Sequence, residues 1–185
     1  MKLWQGLGYY SRASNLHATA KIISDQYQGR FPTDFVQIKA LKGVGDYTAS
    51  AIASICFDQE QAVVDGNVYR VLSRIFGMDH PIDGSAAHKI FKEKAQDLMK
   101  GAPPGDFNQA MMEFGALQCV PKNPNCQDCI FKKECVAFQQ AKVSLLPIKV
   151  KKVKVKNRYL HYFVLIDESK NTLLQKREGK GIWQN

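Results

Sequence analysis

The sequence is short of acid. Its 185 residues carry 17 Asp+Glu against 26 Lys+Arg, a formal net charge of +9. An excess of that size suits an anionic polymer or an anionic membrane face as partner. The shortage is uneven, because no glutamate occurs before Glu60. Long apolar runs are also missing: no stretch of about 18 apolar residues occurs, so no membrane span is expected. No charged start followed by an apolar core and a small-residue cleavage site is present, so no secretory signal is expected. Repeats of fixed period are absent. Cysteine is limited to Cys56, Cys119, Cys126, Cys129 and Cys135. An odd count with four clustered argues against a disulfide framework and for a metal site in a reducing cytosol. The hydrophobic fraction of 45% is enough to build a core.

What is present reads mostly as helix. In SNLHATAKIISDQYQ, Leu16, Ala20, Ile23 and Tyr27 fall on one helical face, with Ser14 or Asn15 placed to cap its start. FPTDFVQIKAL predicts a second helix, with Pro32 early and Thr33 as its cap. YTASAIASICF, NVYRVLSRIF, SAAHKIFKEKAQDLM and DFNQAMMEFGALQC continue the helical pattern, the second with Val68, Val71, Leu72 and Ile75 on one stripe. Cys56 reads as a small core residue.

Composition changes near residue 142. Residues 142–158 carry seven basic residues and no acidic one, which predicts an extended linker or an edge strand. Two β-type runs joined by the polar turn DESKN follow. The domain reading is therefore a helical domain over 1–140, a basic linker over 141–158, and the start of a β-containing domain over 159–185. Both ends read as cut, so a piece of a longer protein is expected.

Three local patterns carry chemistry. The first is Cys119-x6-Cys126-x2-Cys129-x5-Cys135. Four thiolates so close in sequence suit either tetrahedral zinc or a [4Fe–4S] cluster. Zinc usually pairs two short C-x-x-C knuckles and only one is present, so the uneven spacing favours iron–sulfur. Lys122, Lys132 and Lys133 stand between the cysteines and would offer positive charge to a phosphate backbone. The second pattern is LKGVGDY. Gly43 and Gly45, flanking Val44, permit a tight path between two helices and close approach of a phosphate to backbone N–H groups. The third is VVDGNVYRV, where Asp65 closes an apolar run at the start of a helix. Asp-Gly-Asn there is a good N-cap. It is equally a rigid mount for a carboxylate.

Taken together, LKGVGDYTASAIAS, VVDGNVYRVLSRI and the cysteine spacing resemble the helix-hairpin-helix DNA glycosylase superfamily. LWQGLGYYSRASNLH and FNQAMMEFGALQC narrow the resemblance to its adenine DNA glycosylase branch, the MutY type. The likeness runs from residue 3 to about 137, and the tail from His161 resembles the opening of that family's Nudix-like domain. The fold implied is mainly α: a helix-hairpin-helix glycosylase domain with a four-cysteine iron–sulfur loop at 119–135, then the start of a β-containing Nudix-like domain. The function implied is monofunctional hydrolysis of the N-glycosidic bond of adenine mispaired with 8-oxoguanine or guanine. Double-stranded DNA is the partner, a [4Fe–4S] cluster the cofactor, and a monomer in the bacterial cytoplasm, associated with the nucleoid and not with membrane, the expected setting.

The resemblance also implies roles. Asp65 matches the catalytic aspartate, whose charge stabilises the oxocarbenium character that develops as the glycosidic bond breaks. Asn67 helps orient Asp65 and water, and Glu113 lies in the active-site region. Tyr47 stands where lyase-type relatives place a lysine; a phenol cannot form a Schiff base with C1′. Tyr9 corresponds to the residue inserted beside 8-oxoguanine, Arg12 to a phosphate or structural contact, and Gly43, Val44 and Gly45 to the phosphate-binding hairpin. Lys42 is directed to solvent or phosphate. Ser14 departs from the family, where a second arginine is common. The family's general acid is a glutamate from a preceding helix, so this chain is expected to lack it, a contribution of about 10²–10⁴-fold. Two other readings stay open: an endonuclease III-like glycosylase/lyase, and a non-catalytic iron–sulfur DNA-binding module.

Overall fold

The computed structural model describes residues 2–150 and 157–174. The chain divides into two units, Met1–Lys151 and Lys152–Asn185. The first is helical: α1 (Tyr10–Gln26), α2 (Phe35–Ala40), α3 (Asp46–Phe57), α4 (Gly66–Phe76), α5 (Ala87–Met99), α6 (Pro104–Glu113) and α7 (Val136–Gln139). A single 3-10 turn, Lys2–Trp4, precedes α1, and α6 runs directly into a π turn, Phe114–Gln118.

α4 is the central element. It packs against α5, α6, the π turn and α7, while α3 packs against α2 and α6. Val68 and Leu72 of α4 join Phe91, Ala95 and Met99 of α5 in the main core, with Ala62 and Val64 leading into it. Complete burial of a side chain such as Leu72 or Phe91 is worth roughly 1.5–3 kcal/mol, so these few positions fix where α4 begins. A second cluster, Ile38 with Ala49 and Ala53, seats α2 on α3.

Several expectations are corrected in detail. α1 is not capped by Ser14 or Asn15. It starts at Tyr10, launched by a turn in which Gly6, Gly8 and Tyr9 all take positive φ (86°, 70° and 44°). Trp4 Nε1–H donates to the Gly8 carbonyl and the Gly6 N–H to Tyr10 Oη, closing that turn. The apolar stripe predicted on α1 is largely uncovered: Leu16 is 60% exposed, and Thr19 is the residue of this helix that is buried. The cap of α2 is Asp34, not Thr33, because its carboxylate accepts from both Val36 N–H and Gln37 N–H. Cys56 is exposed, lying at the edge of an α3 stripe whose buried members are Ala49, Ser50, Ala53 and Ser54. The first part of the expected linker is packed. Leu146 is buried with Cys135 and Ala137, the Ile82 N–H donates to the Ile148 carbonyl, and the Val150 N–H donates to Asp83. Residues 151–156 and 175–185 of the expected linker and β-containing segment lie outside the described residues.

Of the second unit, residues 157–174 hold one antiparallel bridge, Ile166 with Thr172. The polar turn between them is closed by Asp167, whose Oδ1 accepts from the Asn171 N–H at 2.7 Å. That is the DESKN turn expected from the sequence.

Candidate functional site

The run before Asp65 is buried and irregular, and no strand pairs with it among the described residues. Ala62, Val63 and Val64 are all buried, so their backbone groups need partners other than water. Two side-chain amides supply them. Asn108 of α6, 1% exposed, accepts from the Val63 N–H at 2.9 Å and donates to the Gln61 carbonyl at 2.9 Å and to Ser54 Oγ at 2.8 Å. Gln96 of α5 accepts from the Ala62 N–H and donates to the Glu60 carbonyl. Helices α5 and α6 thus act as sheet partners for one isolated segment.

Asp65 ends this segment as the N-cap of α4. Its Oδ1 accepts from the Val68 N–H at 2.8 Å and its Oδ2 from Asn67 Nδ2 at 3.1 Å. The cap contributes about 1 kcal/mol, and it leaves the half-buried carboxylate in one orientation. Asn67 is fixed in turn. Its Oδ1 accepts from Arg70 at 2.7 Å, so its NH₂ group must face Asp65. Arg70 is buried and also donates to the Gly115 carbonyl (2.6 Å) and the Cys119 carbonyl (2.6 Å). Burial lowers the Arg70 guanidinium from its usual value; Cys119 raises it, Arg74 lowers it further, and Asp65 raises it. Gly115 is a close approach: a Cβ there would meet Asn67 Cβ at 2.6 Å.

One turn further along α4, Arg74 is 2% exposed. It donates to the carbonyls of Leu146, Val120 and Pro121, and its Nη1 lies 3.5 Å from Cys119 Sγ. Cys119, Cys126, Cys129 and Cys135 line one narrow hollow of ≈ 20 Å³, walled by Arg74, Ile75, Phe114, Phe131 and Val143. Burial pushes the Cys126 thiol up, and the charges of Cys119, Cys135 and Cys129 add to it, against a smaller pull from Arg74. Such mutual repulsion is what a positively charged inorganic group would relieve. Among the described residues, no three His, Cys, Asp or Glu side chains converge closely enough to grip a single ion.

The hairpin between α2 and α3 is held from behind by α1. Thr19 Oγ1–H donates to the Lys42 carbonyl at 2.9 Å, and Gly43, at φ +79°, would bring a Cβ within 2.6 Å of Asn15. Lys42, Gly43 and Gly45 are exposed and Val44 is half-buried. Gly45 is the N-cap of α3 and offers no side-chain cap. Tyr47 is exposed, with its hydroxyl 3.7 Å from Met112 Sδ rather than on Asp65. Tyr9 is 78% exposed in the left-handed region, and Arg12 lies 5.2 Å over its ring. Glu113 is exposed and accepts from Gln109; no bond joins it to Asp65 or Asn67.

The pattern of the HhH-GPD superfamily of base excision DNA repair proteins matches residues 1–97. The chain belongs to that superfamily. It is 38% identical over 187 residues to the adenine DNA glycosylase of Buchnera aphidicola subsp. Schizaphis graminum, covering 99% of this chain and 52% of the relative. It is 45% identical over 152 residues to the adenine DNA glycosylase of Rattus norvegicus, covering 79% and 29%. The chain therefore spans about half the length, or less, of the curated relatives it matches. Among solved structures it resembles a thermostable thymine-DNA glycosylase (TM-score 0.64, 35% identity, 70% of this chain and 59% of that one). It also resembles endonuclease III in a non-covalent DNA complex (TM-score 0.59, 28% identity, 74% and 61%). This superfamily member brings Asp65 and Asn67 together, and the four cysteines with one another. No hydrogen bond ties Tyr9, the hairpin or Glu113 to Asp65 or Asn67 among the described residues. Sequence reading missed Arg70, Arg74 and Asn108. The signal was there for the arginines, which with Asn67 share one face of a helix otherwise committed to the core.

Proposed function

We propose that this chain carries the catalytic aspartate, the phosphate-facing hairpin and the iron–sulfur loop of a monofunctional adenine DNA glycosylase acting on A opposite 8-oxoguanine or guanine. The observation that carries the reading is the fixed Asp65 carboxylate. It is mounted on a buried segment, held by a backbone N–H and by an amide whose orientation Arg70 dictates.

As the glycosidic bond lengthens, positive charge grows at the sugar C1′ and ring oxygen. A carboxylate already oriented by the fold stabilises it with no reorganisation at the moment of reaction. Asn67 keeps Asp65 from rotating and can hold the attacking water. Tyr47 occupies the position of the lyase nucleophile and has no amine, so base release ends in hydrolysis rather than in an imine. The exposed hairpin and the uncapped N-terminus of α3 provide N–H donors for backbone phosphate. Tyr9, held out on its left-handed turn, is the side chain available to enter the stack when the base is extruded.

Cys119, Cys126, Cys129 and Cys135 share one hollow, and their uneven spacing with a single C-x-x-C knuckle fits a [4Fe–4S] group better than one zinc ion. When bound, that group would supply a cross-link for the loop. The chain's own Arg74 organises the same loop through three carbonyls.

The test is adenine release from a duplex with one A·8-oxoguanine pair, by the protein and by its Asp65→Asn variant. Retained release in the variant removes Asp65 from the chemistry. Efficient borohydride trapping of the protein on DNA would instead favour the lyase reading.

A further inference from the structure

Asp46 is a carboxylate where a phosphate-facing hairpin should least want one. It is the first residue of α3, directly after Gly45. Its surroundings give it a different meaning. Lys39, from the last turn of α2, reaches Oδ1 at 2.6 Å, and Lys92, from α5, reaches Oδ2 at 2.6 Å. His88 Nε2, one turn before Lys92, lies 3.3 Å from the same Oδ2. Lys92 also meets Ser50 Oγ at 3.1 Å. Both ammonium groups sit over one ring, Phe35, at 5.5 and 5.0 Å from its centroid.

We infer that Asp46 is a positioning residue for DNA binding: it clamps the base of the hairpin shut through Lys39 and ties the hairpin to α5 through Lys92. This rests on the hairpin reading proposed above and deepens it. The Lys39–Asp46 bond spans residues 39 to 46, the whole hairpin. The Lys92 bond links the α2–α3 cluster to the α4–α5 core across a polar seam. One carboxylate here serves two ammonium groups, so the local sum stays positive and phosphate is not repelled. Removing it leaves two cations facing each other over one ring with no counter-charge. The hairpin base should then open, although the protein has become more positive.

That gives opposite predictions for a single substitution. As a mere surface carboxylate, Asp46 would repel DNA, and Asp46→Asn would tighten binding. As a clamp, its loss weakens binding to a short duplex carrying an A·8-oxoguanine pair by about tenfold. It also lowers the slope of log K against log salt by about one phosphate contact. Asp46→Glu, which keeps the charge, should stay within about threefold of the parent. Equal or tighter binding by Asp46→Asn, or a steeper salt slope from freed lysines, overturns the inference. A readout without DNA keeps it testable should Asp46→Asn misfold. Lys92→Met leaves the Lys39 bond in place, and should cost the Val44 and Ala49 amides, which donate to the Leu41 and Gly45 carbonyls at either side of the hairpin, about tenfold in hydrogen-exchange protection while those of α4 keep theirs. Unchanged protection in the hairpin overturns the inference too. If the parent protein shows no salt-dependent duplex binding at all, it is the hairpin reading itself that fails.

Discussion

Asn108 offers the sharpest test of how Asp65 is held. Replacing it by leucine keeps the branching and the number of side-chain heavy atoms at the α6 position but removes an amide that makes three bonds. The Val63 N–H and the Gln61 carbonyl would lose their partner, whereas Ser54 Oγ–H retains the Ala51 carbonyl at 3.3 Å. A buried polar group left unsatisfied costs about 1–3 kcal/mol, so Asn108→Leu should cost about 2–6 kcal/mol. That is a large share of the 5–15 kcal/mol typical of a folded domain. Urea denaturation followed by far-ultraviolet circular dichroism measures it, with the parent protein alongside. Gln96→Met is the control. It removes one bond from the buried Ala62 N–H and one from the carbonyl of Glu60, which is exposed and can turn to water, so a single buried group is orphaned and the cost should be about 1–3 kcal/mol. A loss below about 1 kcal/mol for Asn108→Leu, or equal losses for the two variants, would refute the view that side-chain amides stand in for a missing strand.

Other outcomes follow from the same geometry. Asp65→Asn should change stability by less than about 0.5 kcal/mol, because asparagine caps as well as aspartate. Adenine release should nevertheless fall by at least about 10²-fold in a single-turnover assay. Gly115→Ala should push Asn67 aside, since the new Cβ would lie 2.6 Å from Asn67 Cβ; slower release with near-parental duplex affinity is the expected signature. Burial raises the Asp46 carboxyl, but its contacts with Lys39 and Lys92 together outweigh that and hold it below its ordinary value. Its contribution to stability is thus complete above a pH of about 4 and is lost as pH falls through the folded pKa. An acid titration of the melting temperature should show a loss that Asp46→Asn largely lacks. Cys129→Ser should reduce bound iron and absorbance near 400 nm if the four sulfurs hold a cluster, with the helical circular dichroism retained.

The helices were legible because their apolar spacing is a local property: α4 stands where the stripe of Val68, Val71, Leu72 and Ile75 puts it, and α5 and α6 fall within the two segments that continue the helical pattern. Asp65 was legible for the same reason, since a cap is read from four residues. What escaped was everything set by long-range polar contact. Nothing around Asn108 announces that it will bond to residue 63, and nothing in α4 says which carbonyls Arg70 and Arg74 will collect from a loop 45 or more residues away. α1 misled in the other direction. Its period is sound, but a stripe is buried only where something covers it, and the first-turn glycines moved its start. The basic stretch after residue 142 was read as spacer from its charge, while Leu146 and Ile148, its apolar members, dock it.

The π turn after α6 is five residues wide, and its slack leaves the Gly115 carbonyl free for a guanidinium from another helix. One extra residue in that turn thereby harnesses two distant chemistries to a common axle. Drift in the loop that follows would be felt at the carboxylate, and sequence change in either place would have to be matched in the other.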